Sequence, residues 1–141
     1  MRRNRDVLSI CLVLFALSFA SSARAESYLC DIKQFLTLRE EGTLNKDRMS
    51  EQQAKLYSRI GWNTLTGDLR FYNRDGGSTS YPIELKLIQK ASNENSAVGV
   101  SIVHGSAAIV LTTMTVNTWR KGMPFLLHRH SETYSGNCVR L

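Results

Sequence analysis

The sequence predicts a mainly β fold, a small antiparallel β-barrel or sandwich of about seven or eight strands with one short helix. Short runs rich in Val, Ile, Thr and aromatic residues are separated by Gly, Asn, Asp and Ser clusters over most of the chain. Several of these runs alternate apolar and polar residues with a period of two, as half-buried strands do. Cysteines near both ends of the mature chain suggest adjacent first and last strands, as a closed barrel would provide.

The first strand is predicted over residues 28–38, where Glu40-Glu41-Gly42 follows as a stop. Its Asp, Lys and Thr residues fall on one face, which we expect to be solvated. The other face, which we expect to be buried, carries Tyr28, Cys30, Ile32, Leu36 and Leu38.

One short helix is predicted from about Glu51 to Arg59. Ser50 and Gln53 have the spacing of a capping box, and Gly61 suits the C-terminal cap. A competing interpretation starts a strand at Leu56 and continues it through Trp62.

The remainder of the chain is predicted to be β-structure. Apolar residues of both parities in residues 107–116 predict a central strand that is covered on both faces. In residues 81–90 the inward side chains should be Ile83, Leu85 and Leu87. The other predicted strands cover residues 69–73, 98–103, 123–130 and 133–140.

Residues 1–25 have the layout of a cleaved secretory signal peptide: a basic start, an apolar run over residues 7–20, and Ala23-Arg24-Ala25 as the cleavage site. The apolar run is shorter than the roughly 20 residues that a membrane-spanning helix needs. We therefore expect an exported protein, periplasmic or secreted, with a single mature domain over residues 26–141 and no stable membrane anchor after cleavage.

The cysteine count predicts one disulfide. Cys11 belongs to the signal peptide, which leaves Cys30 and Cys138 in an oxidising compartment. Two free thiols or two intermolecular bridges are the alternatives.

Charge and hydropathy narrow the class of partner. Half of the formal net charge of +6 lies in the signal peptide, and Lys and Arg are not concentrated as in a nucleic-acid groove. Residues 95–119 carry no charge, but a His-Gly-Ser turn divides them, so they are predicted to form a hairpin. The expected partner is a protein or a small apolar ligand, which the barrel could enclose unless its own side chains fill it.

Candidate catalytic groups are sparse, and no cofactor is predicted. His128 and His130 would share one face of a strand and could bind a metal ion, with His104 as a third ligand if its turn folds to the same end. Glu84 and Glu132 are predicted to be solvated. The sequence therefore favours binding over catalysis, with a metal-dependent enzyme as one alternative.

Aromatic and basic residues could form a binding surface or could pack in the core and its turns. The residues concerned are Trp62, Tyr72, Trp119, Arg120 and Lys121.

Tyr28-Leu29-Cys30, Trp119-Arg120-Lys121-Gly122 and a cysteine near the C-terminus resemble parts of the small periplasmic inhibitors of C-type lysozyme. The resemblance implies a compact antiparallel barrel that inserts a serine loop and a lysine loop into the lysozyme cleft. Ser106 and Lys121 would be the inserted residues, although Ala107 follows Ser106 where that family has Gly.

The function predicted from the sequence is thus an exported, non-catalytic binding module. Inhibition of a hydrolase such as lysozyme is the first alternative. Self-association through an exposed strand is a further one.

Overall fold

The computed structural model describes residues 26–46, 53, 56–79, 81–105 and 108–141. The predicted signal peptide and Ser106 lie outside these residues. Within the described part of the chain, no helix is long and apolar enough to cross a membrane.

In these described residues, ten strands form one antiparallel sheet in the order β5-β4-β3-β1-β10-β9-β8-β7-β6, and β2 pairs with β1 beside this path. Their bounds are Ser27–Leu38 (β1), Leu44–Asn45 (β2), Arg59–Asn63 (β3), Asp68–Tyr72 (β4), Ile83–Glu84 (β5), Lys86–Gln89 (β6), Ala97–His104 (β7), Ile109–Val116 (β8), Pro124–Arg129 (β9) and Glu132–Arg140 (β10).

The sheet nearly closes into a barrel because one segment serves both of its ends. Only Leu85 separates β5 from β6. Glu84 pairs with Asp68 of β4, whereas Lys86 pairs with Val100 of β7. The Leu85 N–H donates to the Gly67 carbonyl at 2.9 Å, which fixes the point where the segment passes from one neighbour to the other. The predicted mainly β, barrel-like fold is confirmed. There are more strands than expected because residues 81–90 form two short strands and because β2 and β3 were not among the predicted strands.

The barrel interior is filled by its own side chains. A Cβ at Gly99 would lie 2.6 Å from Cζ2 of Trp62, so the indole occupies the space that a side chain there would need. The buried apolar residues are Tyr28, Cys30, Phe35, Ile60, Trp62, Leu69, Phe71, Leu85, Ala97, Met114, Val116, Phe125, Leu127, Tyr134 and Cys138.

A β-bulge changes which face of β1 is buried. The register with β10 shifts between Ile32 and Gln34, and beyond that point Phe35 is buried while Leu36 is only half-buried. A bulge adds one residue to one strand and so reverses the alternation that follows it. The predicted inward positions of Leu36 and Leu38 are therefore wrong, and Leu38 is exposed.

The predicted helix is wrong at its C-terminal end, because Arg59 begins β3 and Gly61 lies inside that strand. The ring of Tyr72 crosses Gly61, and a Cβ there would lie 2.9 Å from it. Gln53 and Leu56 are helical, and the Tyr57 N–H donates to the Gln53 carbonyl at 2.8 Å. Glu51 and residues 52, 54 and 55 of the predicted helix lie outside the described residues, so the described part contains no complete helix. The competing interpretation, a strand from Leu56 through Trp62, agrees with β3 at Trp62 but is wrong at its start, because β3 begins at Arg59.

Cys30 and Cys138 are direct partners in the register of β1 and β10 and form the predicted disulfide inside the barrel. Their Cα atoms are 3.8 Å apart. The alternatives of free thiols and intermolecular bridges do not apply to this structure.

Leu141 lies beside the start of β1. The Leu141 N–H donates to the Ser27 carbonyl at 2.8 Å. Arg140 forms an ion pair with Glu26 at 3.4 Å, and Glu26 also accepts from the hydroxyl of the buried Tyr28. Burial, reinforced by the Glu26 carboxylate, raises the pKa of Tyr28 well above its usual range.

Candidate binding site

The hairpin of β7 and β8 extends beyond the strands that flank it. On one side, β6 pairs with β7 only as far as Val100; on the other, β9 pairs with β8 only from Thr112. We call residues 101–105 and 108–111 the projecting hairpin. Its strands pair with each other, and the His130 N–H adds one 3.3 Å contact to the Leu111 carbonyl.

Exposed aliphatic side chains cover the projecting hairpin. The exposed fractions are 58% for Ile102, 55% for Val103, 63% for Ile109 and 44% for Leu111. The prediction that residues 107–116 are covered on both faces is therefore wrong at the start of β8. Covering the outer face would need a second layer of structure packed on it. Here the start of β8 instead extends beyond the strands that flank the hairpin.

A pocket of about 550 Å³, the side pocket, opens between the projecting hairpin and the segment that contains β5. Thr112 lies at its buried end and is 3% exposed, while Arg129 is exposed at its edge. The residues around it are Pro82, Ile83, Glu84, Lys86, Val100, Ser101, Ile102, Val103, Val110, Thr112 and Arg129.

One edge of the side pocket is an unpaired strand edge. Beyond Val100, residues 101–104 pair with β8 on one side and with no other described residue on the other. Because a strand directs its N–H and C=O groups to both sides, this edge presents free backbone donors and acceptors to the pocket.

Among the charged residues near the side pocket, Arg129 is available to pair with a ligand. The neighbouring carboxylate of Glu132 accepts a 2.8 Å hydrogen bond from the hydroxyl of Tyr134. Burial of Tyr134 is the main cause that raises the pKa of this phenol far above its usual range, and Glu132 adds to the effect. No described carboxylate forms an ion pair with Arg129. Lys86 and Glu84 supply the other charges around the pocket.

The turn between β8 and β9 presents Trp119, Arg120 and Lys121 on the surface. Trp119 is 47% exposed, and the Arg120 guanidinium lies 4.6 Å from the centre of its ring, a cation–π contact. The side-chain amide of Asn137 donates to the Gly122 carbonyl at 3.0 Å and fixes the turn.

Lys121 and the hairpin end between Gly105 and Ala108, where Ser106 falls in the sequence, lie at opposite ends of β8. Gly105 and Ala108, the described residues flanking Ser106, close the hairpin through an N–H to carbonyl bond of 2.9 Å. The eight residues of β8 separate the two turns by about 27 Å at the usual rise of a strand. The described backbone does not bring the two turns together, and the resemblance to lysozyme inhibitors stays a prediction.

The three histidines occupy the same end of the barrel but form no ligand set. His104 ends β7, and His130 lies in the turn after β9 with a φ of 54°. One ring nitrogen of His128, Nδ1, lies 3.1 Å from the Thr133 hydroxyl. Among the described residues, no three His, Cys, Asp or Glu side chains are grouped as metal ligands.

The other two aromatic residues considered for a binding surface, Trp62 and Tyr72, lie on opposite faces of the sheet. Trp62 is buried inside the barrel, and Tyr72 covers Gly61 on the outer face of the sheet. Sequence reasoning missed Ser101, Val103 and Val110 as pocket residues. The signal that could have identified them is the uncharged run 95–119 with apolar residues of both parities, because one parity then has to face a site or a partner.

No family model matches the chain, and no curated protein or solved structure is significantly similar to it.

Proposed function

We propose that this chain is an exported, non-catalytic binding domain and that the side pocket is its binding site. The observation that carries the proposal is a pocket of about 550 Å³ with an aliphatic and hydroxyl lining on an otherwise filled barrel. Ligand sites in proteins are commonly about 300–1,000 Å³ and combine apolar walls with a few polar groups. Here those groups are Thr112, Ser101 and Arg129.

The filled interior favours a site in the barrel wall over one inside the barrel. Trp62, Leu85 and Met114 are at most 1% exposed, and they occupy the centre where other barrels hold a ligand. The ligand would therefore contact the inner face of the projecting hairpin, where Val103 and Val110 are paired.

Export is part of the proposal. The layout of residues 1–25 is typical of a secretory signal, and a disulfide that closes most of the chain is typical of proteins in oxidising compartments.

The test uses the mature chain, residues 26–141, and the anionic amphiphile 8-anilino-1-naphthalenesulfonate as a fluorescent probe. Val103→Asp places a carboxylate in the side pocket and should weaken probe binding at least tenfold. Binding would remove water from this carboxylate, and the apolar rings of the probe cannot replace the lost hydrogen bonds.

The matched control is Leu126→Asp. Leu126 is 51% exposed against 55% for Val103, lies on β9 and is not part of the pocket. Circular dichroism checks that both variants fold. Failure of the unsubstituted protein to bind the probe, or equal loss in both variants, would contradict the proposal.

A further inference from the structure

We infer that the occupant of the side pocket is an extended peptide that adds a strand to the free edge of β7. This inference rests on the proposed function, because it names the chemical class of ligand for the same site.

The free edge selects a peptide backbone. Residues 101–104 are extended and pair with β8 on one side only, and residues 101–103 line the side pocket. Alternating N–H and C=O groups at a strand spacing are complementary to another strand, which can satisfy each of them in turn. A ligand without repeating amide groups could not satisfy most of these N–H and C=O groups, which would then bond to water.

The pocket lies where the added strand would place its inward side chains. Strand β6 already pairs with β7 up to Val100, so a peptide beside residues 101–104 would continue the line of β6. Every second side chain of that peptide would then face Val103, Val110 and Thr112. A volume of about 550 Å³ accommodates two or three aliphatic side chains of this kind.

On the opposite wall of the pocket, one residue cannot donate a backbone hydrogen bond to the peptide. Pro82 lines that wall, and proline has no amide hydrogen to donate. The peptide backbone would therefore pair with β7, and contacts to the wall at Pro82 and Ile83 would come from its side chains.

The charges around the pocket favour acidic ends on the peptide. Arg129 and Lys86 outnumber Glu84 there. A second copy of the chain would offer no carboxylate, because residues 95–119 contain none. The inference is therefore a separate peptide with alternating apolar residues and acidic flanks, rather than a dimer through β7.

The test uses the acetylated, amidated peptide Glu-Val-Thr-Val-Thr-Val-Glu and two isomers of it. One isomer carries N-methyl groups on the valine amides and the other on the threonine amides. Because amides alternate between the two sides of a strand, one isomer should bind like the parent peptide and the other at least 30-fold more weakly. In nitrogen-15-labelled protein, the parent peptide should slow hydrogen exchange at alternate amides of residues 101–104 at least tenfold.

The possible outcomes separate this inference from the proposed function. Equal binding of both isomers, or no binding of the parent peptide at millimolar concentration, overturns strand addition. If the fluorescent probe still binds and Val103→Asp still weakens it, the proposed function stands alone. Protection of residues 101–104 that rises with protein concentration without any peptide overturns the inference in favour of a second copy.

Discussion

At the residue scale, the packing of Trp62 depends on the absence of a side chain at Gly99. The indole is 1% exposed, and its Nε1 is the one buried side-chain nitrogen or oxygen without a hydrogen-bond partner in the part of the chain that the structure describes. The fold buries the large indole surface even though the Nε1 hydrogen has no acceptor. An unsatisfied buried donor of this kind destabilises the folded state by about 1–3 kcal/mol. The neighbouring strands must leave room for the ring.

We predict that Gly99→Ala lowers the free energy of unfolding by about 1–3 kcal/mol, because the new Cβ would lie 2.6 Å from Trp62 and force the core to shift. Urea denaturation measures the loss. The same substitution in a Trp62→Phe background should cost less, since the smaller ring removes the contact. Equal costs in the two backgrounds would contradict this packing account.

Sequence reasoning at this scale identified the cysteine pair and the inward positions of Tyr28 and Leu85, but it failed beyond the bulge in β1. Periodicity assigned Leu36 to the core, whereas Phe35 takes that place. The bulge depends on Gly136 in the opposite strand, where a Cβ would lie 1.9 Å from the Asp31 carbonyl oxygen. Because Gly136 and Asp31 are far apart in the sequence, their contact leaves no pattern in the residues around the bulge. The change in which face of β1 is buried could therefore not be predicted.

At the scale of elements, the segment 83–89 holds the two ends of the sheet together. Leu85, which lies between β5 and β6, is 1% exposed and packs where a side chain at Gly99 would otherwise be. The alternation of residues 81–90 predicted this inward position, and the structure confirms it. That the segment divides between β4 and β7 was not predictable, because alternation records which face is buried and not which strand is the neighbour.

We predict that Leu85→Ala lowers the free energy of unfolding by about 2–5 kcal/mol, since it leaves a cavity where the barrel closes. Ile88→Ala in the same segment is the matched control. Ile88 is 62% exposed, and its truncation should change stability by less than about 0.5 kcal/mol. Similar losses for the two variants, measured by urea denaturation, would show that this segment does not close the core.

The projecting hairpin shows another limit of prediction at this scale. The His-Gly-Ser turn within the uncharged residues 95–119 indicated a hairpin, which β7 and β8 form. The inference that both faces are covered assumed neighbours along the whole strand. Where the flanking strands end is decided by pairing elsewhere in the sheet, so exposure of Ile102 and Ile109 could not be derived from the run itself.

At the scale of the whole molecule, one covalent bond joins the first long strand to the last. Cys30 and Cys138 are 108 residues apart in sequence and adjacent in the barrel. In the chain-entropy model, closing a loop of about 100 residues restricts the unfolded chain by about 4.7 kcal/mol.

We predict that Cys30→Ala combined with Cys138→Ala lowers the free energy of unfolding by about 3–5 kcal/mol, because the unfolded chain regains this freedom. Denaturant unfolding of the variant is compared with that of the oxidised protein and of the protein reduced with dithiothreitol. The reduced protein should resemble the variant. An oxidised protein no more stable than either would contradict the stabilising role of the bond.

Composition and cysteine spacing thus predicted the fold class and its covalent link, because both follow from local patterns and from one pairing rule. The side pocket arises where β6 stops beside β7 and where β5 turns to β4, and no single segment encodes that arrangement. The residues singled out from the sequence, Trp119 and Lys121, belong instead to the turn at the other end of β8.

The position of Leu141 has a practical consequence. Leu141 is bonded to Ser27 at the far end of β10 from Glu132, which pairs with the pocket residue Arg129. The nine residues of β10 set these ends about 30 Å apart. A tether attached after Leu141 would hold the domain on a bead, a sensor chip or a larger assembly with its side pocket directed outward and open to whatever passes.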